Sequence, residues 1–164
     1  MAATYTPIAS ITLGTETTTV IFSSIPSTYT DLVLVSVGFC GADYYSLRMN
    51  SDSGANYSRT LLYTSGSSAV STRGTNTTEV YGSFGTSSTN IGMSIHHINN
   101  YSNTTTNKTI LRRSHAAALN ASPQIEAGLW RNAAAINTLT LIAGSGNFSV
   151  GSKFDLYGIL AGNA

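Results

Sequence analysis

The sequence predicts an all-β protein, an antiparallel β-sandwich of jelly-roll type. Only 9% of its 164 residues are charged while 41% are hydrophobic, and β-branched and aromatic residues recur throughout, so the chain is expected to fold. Clusters of Gly, Ser, Asn and Asp separate short apolar runs. Many short strands without alternating helices favour antiparallel sheets packed face to face. At this length, residues 1–164 are expected to form a single domain.

Eleven segments alternate polar and apolar residues or form short apolar runs, as strands do. In chain order they are residues 7–13, 18–25, 31–39, 44–50, 57–64, 79–84, 91–99, 108–115, 125–130, 136–142 and 153–159. The first two flank a turn at Gly14, which predicts a hairpin ended by Pro26. Residues 51–56 are rich in Gly, Asn and Asp, which predicts a tight connection after which the fifth segment returns along the fourth.

Residues 31–39 are apolar at successive positions, which is typical of a strand covered on both faces. This run predicts the central core strand. The side chains expected to be buried are Leu32, Val33, Leu34, Val35 and Val37. Cys40, the lone cysteine, follows directly and reads as a small apolar core residue.

Two segments do not follow a strand pattern. Residues 65–78 consist mainly of Gly, Ser, Thr and Asn around Val70, which predicts the longest loop and the best place for exposed function. Residues 115–120 contain three Ala and are the only helix-compatible stretch, closed by Pro123 and too short to form a stable helix alone.

The charge balance argues against several partners. A formal net charge of +1, with charged residues scattered singly, provides no basic stripe for nucleic acid or an anionic membrane. The first residues lack a basic region followed by an apolar one, and the chain lacks an apolar stretch of membrane-spanning length. We therefore expect a soluble protein made in the cytoplasm, with no nucleic-acid or membrane partner.

The sequence predicts no catalytic, cofactor or metal site. His96 and His97 are adjacent in one strand, so they point to opposite faces, and pairing either with His115 would still lack a third ligand. Residues 50–56 resemble a calcium loop but carry one carboxylate, Asp52, and favour a turn. Without a nucleophile elbow or paired carboxylates, we expect no enzyme activity.

The tyrosines offer a carbohydrate-binding alternative to simple packing, because their rings can bury one face while the hydroxyl stays wet. The aromatic residues that could stack on sugar rings are Tyr44, Tyr45, Tyr57, Tyr63, Tyr81, Tyr101 and Trp130. Most of them are expected to be core residues. The candidate surface residues for binding are Tyr44, Tyr45 and Tyr63.

Three parts of the chain resemble small Ser/Thr-rich virion structural proteins of tailed bacteriophages. They are residues 19–34 (TVIFSSIPSTYTDLVL), residues 50–63 (NSDSGANYSRTLLY), and a C-terminal part with GLWR at 128–131, INTLTL at 136–141, GNF at 146–148 and GSKFDLYGI at 151–159. The resemblance spans most of the chain and leaves out residues 65–90. It implies a virion surface component, either a capsid decoration (cement) protein or a fibre head, and it carries no catalytic residues.

The resulting expectation is a viral structural protein of a bacteriophage, a homotrimer that decorates the capsid exterior. Its partners would be other copies of itself and the major capsid protein or other virion proteins. Closed rings would also protect sheet edges that repulsion between charges cannot protect here. The alternative is the receptor-binding head of a tail or head fibre, with the tyrosines and residues 65–78 facing a host surface glycan.

Overall fold

The computed structural model describes residues 4–65, 67–116 and 123–160. These ranges contain twelve β-strands, and the predicted all-β class is confirmed. In chain order the strands are β1 (Tyr5–Thr12), β2 (Thr19–Phe22), β3 (Asp31–Gly38), β4 (Tyr44–Met49), β5 (Tyr57–Ser65), β6 (Ser68–Thr77), β7 (Val80–Ser83), β8 (Gly92–Asn99), β9 (Lys108–Ala116), β10 (Gln124–Trp130), β11 (Leu139–Ala143) and β12 (Lys153–Ile159).

The strands form two antiparallel sheets. The large sheet has eight strands in the order β1-β12-β3-β8-β9-β10-β5-β6, and the small sheet has four in the order β2-β11-β4-β7. Their facing sides share one core, so the predicted antiparallel sandwich is confirmed. A jelly-roll arrangement in particular is not established by these strand orders and stays a prediction.

The centre of the core is aromatic. The rings of Tyr45, Phe84, Phe148 and Phe154 pack with centroids 5.2 to 6.0 Å apart, mostly edge to face. Hydrogen bonds between the sheets fix their alignment: the Ser36 and Tyr45 hydroxyls are 2.7 Å apart, and Ser94 Oγ donates to the Ser83 carbonyl at 2.7 Å. Cys40 is buried, as predicted, and burial raises the pKa of its thiol.

The predicted loop at residues 65–78 is wrong. Residues Ser68–Thr77 form β6, the edge strand of the large sheet, paired with β5 along its whole length. Its side chains are mostly exposed on both faces, so no apolar alternation marks it in the sequence. Thr and Val favour strands, and pairing with β5 is sufficient to order the segment.

Two predicted strand pairings are also wrong. β1 pairs with β12 and β2 with β11, so the first two strands lie in different sheets and form no hairpin. β4 and β5 likewise belong to different sheets. Apolar alternation identifies strands but not their partners, and in this sandwich the connections at residues 13–18 and 50–56 cross from one sheet to the other.

The connection at residues 50–56 is a tight turn, as its composition predicts. Asn50 and Ser51 have φ values of 50° and 55°, in the left-handed region that Asn tolerates well. Asp52 accepts hydrogen bonds from the Gly54 amide (2.8 Å), the Asn56 amide group (2.9 Å) and Trp130 Nε1 (2.7 Å). Although burial alone would raise the pKa of Asp52, these hydrogen bonds lower it. The carboxylate thus organises the turn from within the protein.

The core strand β3 is fully covered on one face and only partly covered on the other. Leu32, Val33 and Leu34 are buried, as predicted, but Val35 is half-buried and Val37 is 37% exposed. The expectation of burial for the last two is wrong because the small sheet packs against only one side of the large sheet. The outer side therefore carries apolar residues at its surface.

The adjacent histidines of β8 point to opposite faces, as predicted. His96 is fully buried, its Nε2 donates to the Tyr81 carbonyl at 2.9 Å, and burial lowers its pKa to about 3. His97 lies on the outer face, 3.3 Å from the Asp31 carboxylate. Of the predicted helix-compatible stretch, residues 117–120 lie outside the described residues.

Candidate functional site

A cleft lies between strands β4 and β7 of the small sheet and strands β5, β9 and β10 of the large sheet. Val80 of β7 packs on the large sheet at Gly128, where a Cβ atom would come within 2.8 Å of Val80 Cγ1. Further along the same strands, the inner positions are Arg112 and Glu126 instead of apolar residues. The space has a volume of about 230 Å³. We call it the arginine cleft; its principal lining residues are Asp43, Tyr44, Arg59, Tyr81, Arg112 and Gln124.

Glu126 lies at the back of the arginine cleft and is 1% exposed. Its carboxylate accepts from Arg59 Nη1 at 3.2 Å, from Arg112 Nη2 at 3.4 Å and from the Tyr81 amide at 3.4 Å. Burial lowers the pKa of Arg112, although the nearby Glu126 opposes that shift. Two guanidinium groups thus share one carboxylate, and this group of three side chains carries one excess positive charge.

The two arginines keep unused hydrogen-bond donors. Arg112 also donates to Ser114 Oγ at 3.1 Å and to Gln124 Oε1 at 3.0 Å. Within the described ranges, the Nε atoms of Arg59 and Arg112 are buried and have no hydrogen-bond partner. Buried polar groups are normally paired, so the interactions of this charged group are incompletely satisfied within the protein.

Two tyrosines form the aromatic rim of the arginine cleft. The rings of Tyr44 and Tyr81 lie 5.1 Å apart, and the Arg59 guanidinium sits 4.0 Å from the centroid of Tyr81. This cation–π contact fixes the orientation of Arg59. Tyr44 is 38% exposed, and its backbone carbonyl accepts from the Gly144 amide at 3.1 Å. A Cβ atom at Gly144 would lie 2.7 Å from the Tyr44 ring, so glycine permits this close approach.

The predicted binding tyrosines have different environments. Tyr44 lines the arginine cleft, but Tyr45 is fully buried in the core because neighbours in a strand face opposite ways. Burial raises the pKa of Tyr45, and its ring packs on Phe84. As a surface candidate, Tyr45 is therefore wrong. Tyr63 is half-buried on β5, beyond the principal lining residues of the cleft.

Of the other aromatic candidates, Tyr57, Tyr101 and Trp130 are buried in the core. Sequence reasoning missed Arg59, Arg112 and Glu126. One signal was available: Arg112 and Arg113 are consecutive in a strand, so one of them must face inward. In a chain with 9% charged residues, an inward-facing arginine indicates a special environment.

The opposite side of the large sheet carries exposed apolar side chains. We call it the outer apolar face; its exposed members are Leu62, Leu111 and Ile125, its half-buried members are Val35 and Ile95, and Val33 is buried beside them. Strand register brings Val35 beside Ile95 and Ile125 beside Leu62. Leu62, Leu111 and Ile125 are each 52 to 54% exposed. A groove of about 280 Å³ on this face is lined by Tyr5 and His97 together with four of these apolar residues.

The apolar surface continues to one end of the large sheet. Val37 is paired in register with Met93, which is 44% exposed and lies two positions from Ile95. A second groove of about 440 Å³ lies there, lined by Val37, Ile91 and Val150 among others. Ile91 and Val150 are 43% and 55% exposed. Arg113 lies among these side chains, between Ile95 and Ile125. Groups of exposed apolar side chains mark interaction sites on soluble proteins.

Across the described ranges, no group of three or more His, Cys, Asp or Glu residues could hold a metal ion. No helix in this part of the chain has the length and apolar character needed to cross a membrane. A comparison of the chain with known protein families found no match, and a comparison with curated proteins also found none.

Proposed function

We propose that this protein is a structural component of a bacteriophage virion, a capsid decoration or cement protein on the particle exterior. The observation that supports this proposal best is the outer apolar face, which spans five adjacent strands of the large sheet from β3 to β5. A rigid sheet presenting apolar side chains in register is suited to adhesion between proteins. The resemblance of the sequence to tailed-phage virion proteins supports a phage particle as the place where that adhesion occurs.

We propose that other copies of this chain cover the outer apolar face, in a homotrimer. The polar side chains on and around it carry both signs: Arg113 lies between Ile95 and Ile125, Asp31 lies 3.3 Å from His97, and Lys153 is paired with Asp155 at 3.0 Å. Paired charges at the margin do not repel a second copy, and burial of the apolar side chains against that copy is favourable because it removes them from water. The trimer would then contact the major capsid protein.

The position of the protein on the particle tests the proposal. Labelled protein on purified phage should appear in many copies at capsid symmetry axes in low-resolution images. Binding to purified capsids should change little between low and high ionic strength, because few ion pairs are available to be screened. A few copies confined to the tail or to fibre tips, or loss of capsid binding at moderate salt, would contradict the proposal.

The arginine cleft favours a second candidate function, the receptor-binding head of a tail or head fibre. The cleft combines an exposed tyrosine ring with fixed hydrogen-bonding groups, which suits the binding of a host surface glycan. This candidate predicts retention of the protein on host cells and its loss on the Tyr44→Ala substitution. Equal retention of the wild-type and Tyr44→Ala proteins on host cells would count against it.

A further inference from the structure

We infer that the arginine cleft binds a sugar that carries a carboxylate, such as a uronic acid residue of an acidic glycan. This inference rests on the receptor-binding candidate above and specifies its ligand. It follows from three properties of the cleft: its size, its excess charge and its aromatic rim.

The size of the arginine cleft limits the ligand to about one sugar ring. Its volume of about 230 Å³ lies below the roughly 300–1,000 Å³ of sites that hold drug-sized molecules. The cleft is open at the rim, where Asp43 and Tyr44 are exposed. One ring of a longer glycan can therefore enter while its neighbours remain in solvent.

The charge of the arginine cleft selects a monoanion. Inside the cleft Arg59 and Arg112 share the Glu126 carboxylate, which leaves one excess positive charge in this inner group, and the other acidic lining residue, Asp43, is exposed to solvent at the rim. A carboxylate would neutralise it, whereas a phosphate monoester carries close to two negative charges at neutral pH and would overcompensate. The planar carboxylate also matches the fork of an arginine, and both guanidinium groups line the cleft.

The rim of the arginine cleft supplies the groups that recognise the rest of a sugar. The Tyr44 ring is held from two sides, by Tyr81 at 5.1 Å and by the close approach of Gly144. A restrained, partly exposed ring offers a flat surface for the C–H face of a pyranose. The exposed Asp43 carboxylate and the Gln124 amide can bond its hydroxyls. These features favour an acidic sugar over the carboxylate of a flexible peptide.

Titration with monosaccharides tests the inference. Amide shifts of isotope-labelled protein would be followed on addition of glucuronate, glucose, acetate and an acetylated glutamate peptide. Glucuronate should shift amides around Tyr81 and Gln124 and bind at least tenfold more tightly than the other three ligands. Equal binding of glucose would overturn the acidic-sugar inference but leave glycan binding in place. Tighter binding of the peptide would overturn it in favour of a protein ligand.

Two variants and one control localise the site. Arg59→Gln and Tyr44→Ala should each weaken glucuronate binding at least tenfold, while Arg113→Gln, on the outer side of the same sheet, should leave it unchanged. If Arg59→Gln impairs folding, Tyr44→Ala still tests the site, because Tyr44 is not part of the buried charge group. Binding that survives Tyr44→Ala would overturn the inference. Absence of binding by any sugar would overturn both the inference and the receptor-binding candidate, without affecting capsid decoration.

Discussion

Strands β9, β10 and β5 have two ends that are equally buried but chemically different. At one end Trp130 is 1% exposed and stacks on Tyr57, with ring centroids 6.3 Å apart. At the other end Glu126 is also 1% exposed, yet it is surrounded by Arg59 and Arg112. Burial alone does not explain this difference, since packed apolar side chains usually serve stability as well as a buried ion pair or better. The arginines of this group line the arginine cleft, and the ligand binding proposed above would account for their presence there.

The stability of the charged end should depend strongly on the Glu126 carboxylate. Glu126→Gln should destabilise the protein by about 3–5 kcal/mol, because it leaves the buried Arg112 guanidinium and the partly buried Arg59 guanidinium without their shared counterion. Denaturant unfolding would measure the change, with Arg73→Gln, exposed on the edge strand β6, as a control that leaves the midpoint unchanged. A Glu126→Gln midpoint equal to that of the wild type would mean that the charged group is solvated and the comparison of the two ends is wrong.

The two faces of the large sheet extend the comparison. Leu34→Ala, on the covered face, should cost about 2–5 kcal/mol through the cavity that it leaves. Leu62→Ala, on the outer face and 53% exposed in the chain, should change the free energy of unfolding of the monomer by within about 0.5 kcal/mol. Equal effects of the two leucine substitutions would contradict the assignment of the inner and outer faces.

The pH dependence of stability tests the placement of His96 on the inner face, opposite its neighbour His97. Burial lowers the pKa of His96 from 6.5 to about 3, so the unfolded chain takes up a proton below pH 6.5 while the folded protein does not. Stability from this group is complete above pH 6.5 and falls with decreasing pH, by about 2 kcal/mol at pH 5. Thermal unfolding between pH 5 and 7 should show this slope in the wild type and a reduced slope in His96→Gln. An unchanged slope in His96→Gln would argue against the buried, neutral histidine.

The strands could largely be predicted from the sequence because alternation reflects burial directly. All eleven predicted strands have a counterpart, whereas β6 was missed because an edge strand exposed on both faces leaves no apolar period. Val37 was predicted to be buried because the sequence pattern of an apolar strand residue is the same whether a second sheet or another protein covers it. The outer apolar face can therefore be identified only when the positions of both sheets are known.

The arginine cleft could not be predicted because its parts come from separate strands. Tyr44 belongs to the small sheet, while Arg59, Arg112 and Gln124 lie on β5, β9 and β10 of the large sheet. Sequence alternation placed each residue on a face, but only the strand order places them around one space. Tyr44 was singled out for its ring chemistry alone, and its neighbour Tyr45 could not be separated from it without knowing which residue of the pair faces inward.

The mass of the protein in solution tests the central claim, that the outer apolar face joins copies of this chain. Light scattering should give the wild type a mass about three times the 17.2 kDa of the monomer, and Ile125→Lys should reduce it to that of the monomer. Ile21→Lys is the matched control, because Ile21 on the small sheet is 53% exposed and Ile125 is 54% exposed; it should retain the wild-type mass. A wild-type monomer at micromolar concentration, or a trimer unaffected by Ile125→Lys, would contradict the account.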